Sequence, residues 1–320
     1  MSLKDKSREE QFSIWKKRLK LAEELHKERV FDWADKIFLE YAGENKMNLD
    51  TNERYTQIAQ VIISVEETIQ PHLFYKNPTI FAKSKKPEWE KREPLVAAVI
   101  NHEYSDIKAS GHSIELENEL VILDARLLPF GCTKTTWEVE GGILKEKPDQ
   151  TMLDKFKGVL TGRPPEFIET PVIETEIGHM TERVNPLDVY LDYSASHLTK
   201  QKFTIHRMHV PKEKLQNSRY EQDKLKDLEP NSVLISDYKT KNRDEQERLL
   251  NDPDFKGFTI YEIHDIENRL IHTMVKGLND FIEFASPYPI AEGSQFSYCW
   301  FIEKPNDVYP LPPIKFYRKR

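Results

Sequence analysis

Residues 257 to 265 read GFTIYEIHD, and after three further residues the chain continues as RLIHTMV from Arg269 to Val275. Both stretches are rich in β-branched and aromatic residues, and Tyr261 and Ile263 would lie on one face of a strand with Glu262 on the other. We therefore predict two strands joined as a hairpin. Similar runs recur at 189–191, 202–210, 232–237 and 296–302. The C-terminal part of the chain is accordingly predicted to be β-rich.

The N-terminal part has the three-to-four-residue spacing of amphipathic helices instead. From 11 to 42, apolar residues such as Phe12, Trp15 and Leu19 recur among charges, which predicts a helix or a broken pair of helices. Asp50 with Glu53 resembles a capping box that opens a second helix, whose apolar stripe continues to Ile69.

Two more helices are predicted before the β-rich part. One runs from about Glu93 to Asp106, and the other runs from about Ser113 to Leu128 and is closed by Gly131. A strand is predicted to follow, from Thr133 to Val139. The last helix carries four leucines at helical spacing, Leu116, Leu120, Leu123 and Leu127.

These patterns predict an α+β fold in which N-terminal helices pack on a mostly antiparallel, β-rich portion. Four segments are expected. They are an amphipathic helical segment at 1–47, a helical part ending in a strand at 48–140, an irregular excursion punctuated by glycine and proline at 141–180, and the β-rich part at 181–320.

Composition restricts the class of protein. The 320 residues include 47 basic and 54 acidic residues, a net charge of −7, which argues against a wholly basic nucleic-acid surface. The N-terminus is charged and lacks the apolar stretch of a secretory signal, and no run approaches the roughly 18 apolar residues of a membrane helix. Two cysteines far apart in sequence predict no disulfide framework. We expect a chain without a membrane partner, made and kept in a reducing compartment.

Motifs for chemistry are few. The sequence has no Gly-rich phosphate loop, no dinucleotide fingerprint, no HExxH and no cysteine cluster. His206 and His209 fall in a strand-like run, where a three-residue offset places them on opposite faces. We predict no catalytic, cofactor-binding or metal-binding residues, and a protein that is not an enzyme and needs no cofactor.

One segment supports an alternative. Residues 233 to 240, VLISDYKT, resemble the strand of PD-(D/E)xK nucleases, in which Asp237 would bind a metal ion and Lys239 would position the nucleophile. Asp188 or Asp192 would supply the second acid, although the usual Gly-x-(Ile/Val)-Asp arrangement is missing. A metal-dependent nuclease is thus one alternative, and a generic scaffold or interaction protein is another.

Two longer segments carry more information. The first is NPLDVYLDYSA at 185–195, followed by a predicted strand and the helix-like residues 211–215. The second begins at Thr259, returns through the hairpin, passes Ser286-Pro287-Tyr288-Pro289 and ends near Tyr309-Pro310. In this order and spacing they resemble the portal proteins of tailed double-stranded DNA bacteriophages, the head-tail connectors at the capsid vertex. The front half, with a helix finishing at LLPFG (127–131) before a strand with Trp137, is similar to the portal wing.

The resemblance implies a structural role. The chain would form a closed cyclic ring with copies of itself, a dodecamer, in the virion after assembly in the host cytoplasm. It would serve capsid assembly, viral genome packaging and ejection, with capsid, terminase and tail or adaptor proteins as partners and transient double-stranded DNA in the channel.

The C-terminus departs from the family pattern. In portals, stem, clip and crown parts follow the position of Tyr309-Pro310, so truncation or gene splitting is expected here. The basic residues Lys315, Arg318, Lys319 and Arg320 would approach nucleic acid or form a solvated tail.

Overall fold

The chain begins as helices and continues as strands, which confirms the predicted α+β class. The structure is a computed structural model, and it describes residues 6–41, 64, 68, 81–84, 86–105, 113–140, 144–146, 168–170, 176–211, 215, 220–226, 228–230, 232–233 and 256–317. The helices are α1 Arg8–His26, α2 Asp32–Tyr41, α3 Glu93–Ser105, α4 Ile114–Leu127 and α5 Ile314–Tyr317. Among these described helices, none has the length and apolar character to cross a membrane.

Eleven strands are described, together with short 3₁₀ turns at Pro87–Arg92, Pro186–Asp188, Leu198–Lys200 and Gln222–Lys224. The strands are β1 Gly131–Glu140, β2 Leu144–Glu146, β3 Ile168–Thr170, β4 Glu176–Val184, β5 Val189–Leu191, β6 Phe203–Pro211, β7 Ser232–Val233, β8 Lys256–Asp265, β9 Leu270–Val275, β10 Phe281–Pro287 and β11 Phe296–Cys299.

The chain divides into two compact units. The larger unit combines Met1–Lys134 with Glu182–Arg320, and the smaller unit is Thr135–Thr181. Within the smaller unit β2 and β3 pair antiparallel, a short pairing that the sequence pattern of the 141–180 excursion did not predict. The rest of that excursion up to residue 175 lies outside the described residues.

Helix α1 begins with a capping box. The Ser7 hydroxyl accepts from the Glu10 amide, and the Glu10 carboxylate accepts from the Ser7 amide, so two amides at the helix start are satisfied. A π-helical turn at Lys27–Phe31 joins α1 to α2. The sequence pattern predicted one helix or a broken pair of helices. The structure has the pair, and the π turn is the break between them.

The second predicted helix, opened by Asp50 and Glu53, lies almost entirely outside the described residues. Ser64 and Thr68 alone are described there, and both are helical. Helices α3 and α4 confirm the two later predictions to within one residue at each end. Gly131, which was expected to close α4, is instead the first residue of β1, since α4 ends at Leu127. A Cβ atom at Gly131 would overlap the Val121 carbonyl, so glycine is required at this crossing of helix and strand.

The main sheet has six strands in the order β10-β9-β8-β6-β5, with β7 paired to β8. The predicted hairpin is confirmed as β8 and β9, with Tyr261 opposite Met274. Its turn is held by Asp265, whose carboxylate accepts from the Asn268 amide at 3.0 Å, while Arg269 takes a positive φ of 58°. Strand β10 was not predicted.

Helix α1 covers one face of this sheet. Phe12 packs edge-on against Phe281 with ring centroids 5.2 Å apart, and Trp15 packs against Phe203 at 5.3 Å. The core between them also contains Leu19, Ala22, Tyr190, Ile205, Tyr261, Ile263 and Met274. The N-terminal helix and the C-terminal sheet therefore share one core.

A second sheet, in the order β11-β1-β4, contributes to another core of the larger unit with α2 and the segment after β11. Gly131 pairs with Cys299 and Lys134 with Phe296 in an antiparallel ladder. Helix α4 is attached beside it through Arg183, whose guanidinium donates to both oxygens of Asp124 at 2.6 and 2.8 Å. The Arg183 amide also donates to Glu117 at 2.6 Å.

Candidate functional site

The face of the main sheet that points away from α1 carries a row of polar residues. In the strand register His206 lies opposite Glu262, Glu262 opposite Thr273, and Thr273 opposite Glu283. The Thr273 hydroxyl donates to Glu283 at 2.8 Å. Because side chains alternate along a strand, these four residues point to the same face, and the row crosses four strands.

Lys134 from β1 reaches into this row. Its ammonium donates to a Glu262 carboxylate oxygen at 2.6 Å, and the same oxygen is hydrogen-bonded by His264 Nε2. The Lys134 side chain is 11% exposed and that of His264 is 0% exposed. The ring of Phe296 packs edge-on against His264, with centroids 4.8 Å apart. The group Lys134, Glu262, His264 and His206 is called the buried cluster below.

Charge in the buried cluster is set by its members. Burial opposes ionisation of Glu262, but Lys134 and His264 hold the pKa of that carboxyl well below its usual value. Burial, assisted by Lys134, lowers the pKa of His206 to about 3, so that this imidazole is neutral at pH 7. The cluster therefore holds a carboxylate paired with an ammonium beside a neutral ring.

The geometry of the buried cluster favours a structural role over a reaction. Glu262 is 7% exposed and His264 is fully buried, so solvent and substrates have little access to the ionised group. Lys134 belongs to the second sheet and Glu262 to the main sheet, and their ion pair joins the two. A second contact at the same place runs from Tyr298 to Thr204, whose hydroxyl oxygens are 3.0 Å apart.

Metal ligation was not predicted for this chain. Within the described ranges, no three His, Cys, Asp or Glu side chains are grouped so that they could hold a metal ion. His206 and His209 both lie in β6, where their three-residue offset places them on different faces of the sheet. In the strand pairing, His206 is the partner of Glu262 and His209 is the partner of Thr259. Cys132 and Cys299 are free thiols.

The residues of the nuclease alternative are only partly described. Asp237 and Lys239 lie outside the described residues. Asp188 binds Arg207 at 2.7 Å, and the buried carboxylate of Asp192 accepts from the amide and hydroxyl of Ser194 and from the Lys202 amide. Both candidate second acids thus have structural partners.

The segments that resemble portals form turns and core anchors. Asn185 accepts from the Leu187 amide at 3.1 Å and opens the 3₁₀ turn at Pro186–Asp188, a role that suits an Asn before a Pro. Tyr309 is 2% exposed, and its hydroxyl lies 3.3 Å from His26 Nδ1. Of the basic C-terminal residues Lys315 is exposed, and residues 318–320 lie outside the described part of the chain.

Apolar side chains lie exposed on α3 and α4. Leu95 is 68% exposed and Val99 is 55% exposed, although both belong to a helix that contacts α4. We call this surface the α3–α4 apolar face, and it comprises Leu95, Val96, Val99, Ile100, Leu116 and Leu120, each at least 40% exposed. Leu116 and Leu120 lie on the exposed face of α4 because the other face holds Glu117 and Asp124, which accept hydrogen bonds from Arg183.

Neither feature was predicted as a site from the sequence. The spacing of Glu262 and His264 in a strand indicates one shared face, but nothing in the sequence identifies Lys134 as the third member. The apolar face had a clearer signal. Six consecutive residues of α3, Leu95 to Ile100 (LVAAVI), are apolar, so apolar side chains lie on all sides of this helix. A helix that is apolar all round must bury more than one side.

Comparison with known proteins finds no family model that matches the chain and no match among curated proteins. The α3–α4 apolar face and the order of the sequence motifs therefore carry the inference of function.

Proposed function

We propose that the chain is a structural subunit of a homo-oligomeric ring of the phage portal type, which serves head assembly, DNA packaging and ejection. The observation that carries the proposal is the α3–α4 apolar face. Six exposed apolar side chains on two helices in contact are typical of a surface that binds another macromolecule. Fully burying an exposed Leu, Ile or Val side chain contributes about 1.5–3 kcal/mol, and these six are 40–68% exposed, so covering each of them contributes roughly half as much.

The order of motifs supports a copy of the same chain as the partner. Helices precede the strands, the Asn185-Pro186 turn precedes β5 and β6, and the strand with Tyr261-Glu262 precedes β9. This order of elements resembles that of a portal wing. A closed ring uses heterologous contacts, in which each subunit presents two different faces. The α3–α4 apolar face would be one of them.

Charge also suits a channel for DNA. The net charge of −7 disfavours tight binding to phosphates, and each phosphate that a protein neutralises adds affinity that would slow sliding. Capsid, terminase and tail or adaptor proteins are the partners that this role requires. The host cytoplasm and then the virion are the locations that follow from it.

The mass of the particle in solution tests the proposal. We expect sedimentation velocity and multi-angle light scattering of the full chain to give a discrete species many times the mass of one chain, and negative-stain images to show rings. Val99→Asp places a charge in the apolar face and should shift the distribution to small species.

Leu21→Asp is the matched control, since Leu21 is 48% exposed and belongs to α1 rather than to the α3–α4 apolar face. It should leave the large species unchanged. A chain that stays monomeric up to the highest concentration tested, or a Val99→Asp variant that assembles as the wild type does, would sink the proposal.

A further inference from the structure

A cleft of about 350 Å³ opens between α1 and the segment in which β9 ends and turns toward β10. Its apolar lining comes from both elements and includes Phe12, Leu19, Tyr261 and Met274. The volume is near the lower end of the range for ligand pockets, about 300–1,000 Å³, which suits a few inserted side chains better than a large cofactor.

The rim of this cleft is cationic. Lys16, Lys20 and Lys276 line it, and all three are exposed. Lys16 is held over the opening, because its ammonium donates to Asn279 at 2.9 Å and lies 5.9 Å from the centre of the Phe12 ring. One acid, Glu23, also lines the cleft. Burial raises the pKa of its carboxyl group, and the hydrogen bond from Tyr261 offsets part of this rise. The cleft thus combines an apolar floor with a net positive rim.

The α3–α4 apolar face has the opposite charge at its edge. Glu115 and Glu119 precede Leu116 and Leu120 on α4. Both carboxylates lie close to Tyr104 of α3: burial raises the pKa of this phenol, and the two negative charges raise it further. The α3–α4 apolar face also has a basic end, because Lys91 and Arg92 lie in the 3₁₀ turn that precedes α3. Its acidic edge is therefore the one at the start of α4.

We infer that the α3–α4 apolar face of one subunit docks into the lysine-rimmed cleft of a second copy, with Glu115 and Glu119 meeting Lys16 and Lys20. This inference rests on the proposed ring. The two surfaces differ and complement each other in charge and in apolar character, which is the requirement of a head-to-tail contact between identical chains. Leucine and valine side chains enter the cleft, and the carboxylates stay at the rim.

A charge exchange tests the pairing. Lys16→Glu/Lys20→Glu should raise the dissociation constant of the assembly at least about tenfold, because like charges then face each other. Glu115→Lys/Glu119→Lys should do the same. Combining both pairs of substitutions in one chain should restore assembly to within about threefold of wild type, because the charges are opposite again.

Lys17→Glu is the control, since Lys17 is exposed on α1 beside Lys16 and does not line the cleft. It should assemble as wild type. Urea unfolding of each variant at low protein concentration checks that the subunit itself is intact.

The outcomes separate this inference from the proposed function. If the wild type forms the large species and Lys16→Glu/Lys20→Glu leaves it unchanged, the cleft is not the contact between copies. The inference is then wrong while the ring stands. The pairing is also wrong if each of the two double variants weakens assembly and the variant that combines them does not recover it. A wild-type chain that never assembles overturns the inference together with the ring.

Discussion

The larger unit buries charge at one place and exposes apolar side chains at another. Lys134 and Glu262 form an ion pair in the interior, while Leu95 and Val99 lie more than half exposed on α3. A buried ion pair contributes little net stability but is costly to break, so it fixes how two sheets meet. An exposed apolar surface contributes nothing until another surface covers it. The first feature therefore specifies the subunit, and the second is available for assembly.

The largest expected effect comes from breaking the buried pair on one side. Lys134→Met leaves the Glu262 carboxylate in the interior with His264 as its remaining hydrogen-bonding neighbour. We expect the free energy of unfolding to fall by about 3–5 kcal/mol, because an uncompensated buried charge remains. Urea denaturation, with the midpoint and slope both fitted, measures the change.

The double variant Lys134→Met/Glu262→Met is the control for this effect. Removing both charges should recover most of the lost stability, since replacing a buried pair by apolar residues is often close to neutral. A single variant that loses less than about 1 kcal/mol would contradict the assignment of a buried charge pair.

A smaller effect is expected where α4 is attached to β4. Arg183→Ala removes two hydrogen bonds to Asp124, and we expect a loss of about 2–3 kcal/mol. The loss should be smaller than that of Lys134→Met, because the Arg183 side chain is 32% exposed and solvent screens it. Glu182→Ala, the exposed neighbour on the same strand, should change stability by less than about 0.5 kcal/mol. Equal losses in the two variants would show that Arg183 does not hold α4.

Acid should destabilise the fold through its buried histidines. Burial lowers the pKa of His26 to about 3 and that of His206 to about 3, so both rings stay neutral in the folded chain. In the unfolded chain they bind protons below about pH 6.5, and stability is lost as the pH falls. Each histidine contributes a slope of up to about 1.4 kcal/mol per pH unit.

Urea unfolding between pH 4.5 and 6 measures this slope. His26→Phe should reduce it by the contribution of one proton, because the titrating ring is gone. Tyr309→Phe removes a hydrogen-bonding partner of His26 and keeps the ring, so its slope should equal that of wild type. An unchanged slope in His26→Phe would mean that His26 is not neutral in the folded chain.

The sequence predicted most elements of the fold because their apolar patterns are local. It missed β10 for a local reason as well. The pairing of β10 with β9 shifts register twice, between Phe281 and Glu283 and between Glu283 and Ser286, and Ala285 takes a φ of 55°. Bulges of this kind destroy the two-residue alternation by which a strand is recognised.

The candidate site was harder to predict because it depends on distant partners. Leu116 and Leu120 follow the spacing of a buried stripe, but Glu117 and Asp124 take the inward face of α4 to reach Arg183, 59 residues beyond Asp124. Lys134 and Glu262 are 128 residues apart. No local pattern identifies such pairs, since a charge is buried only where the fold supplies its partner.

The smallest expected effect on stability concerns the α3–α4 apolar face. Val99→Ser on α3 should change the stability of the isolated subunit by less than about 0.5 kcal/mol, because the side chain is 55% exposed and the two residues have similar helix propensity. The same substitution should weaken assembly, measured by sedimentation velocity across a concentration series. Val121→Ser, on the buried face of α4, is the opposite control and should destabilise the subunit itself. If Val99→Ser lowers stability as much as Val121→Ser does, the α3–α4 apolar face is part of the core of the subunit and cannot be the surface by which copies meet.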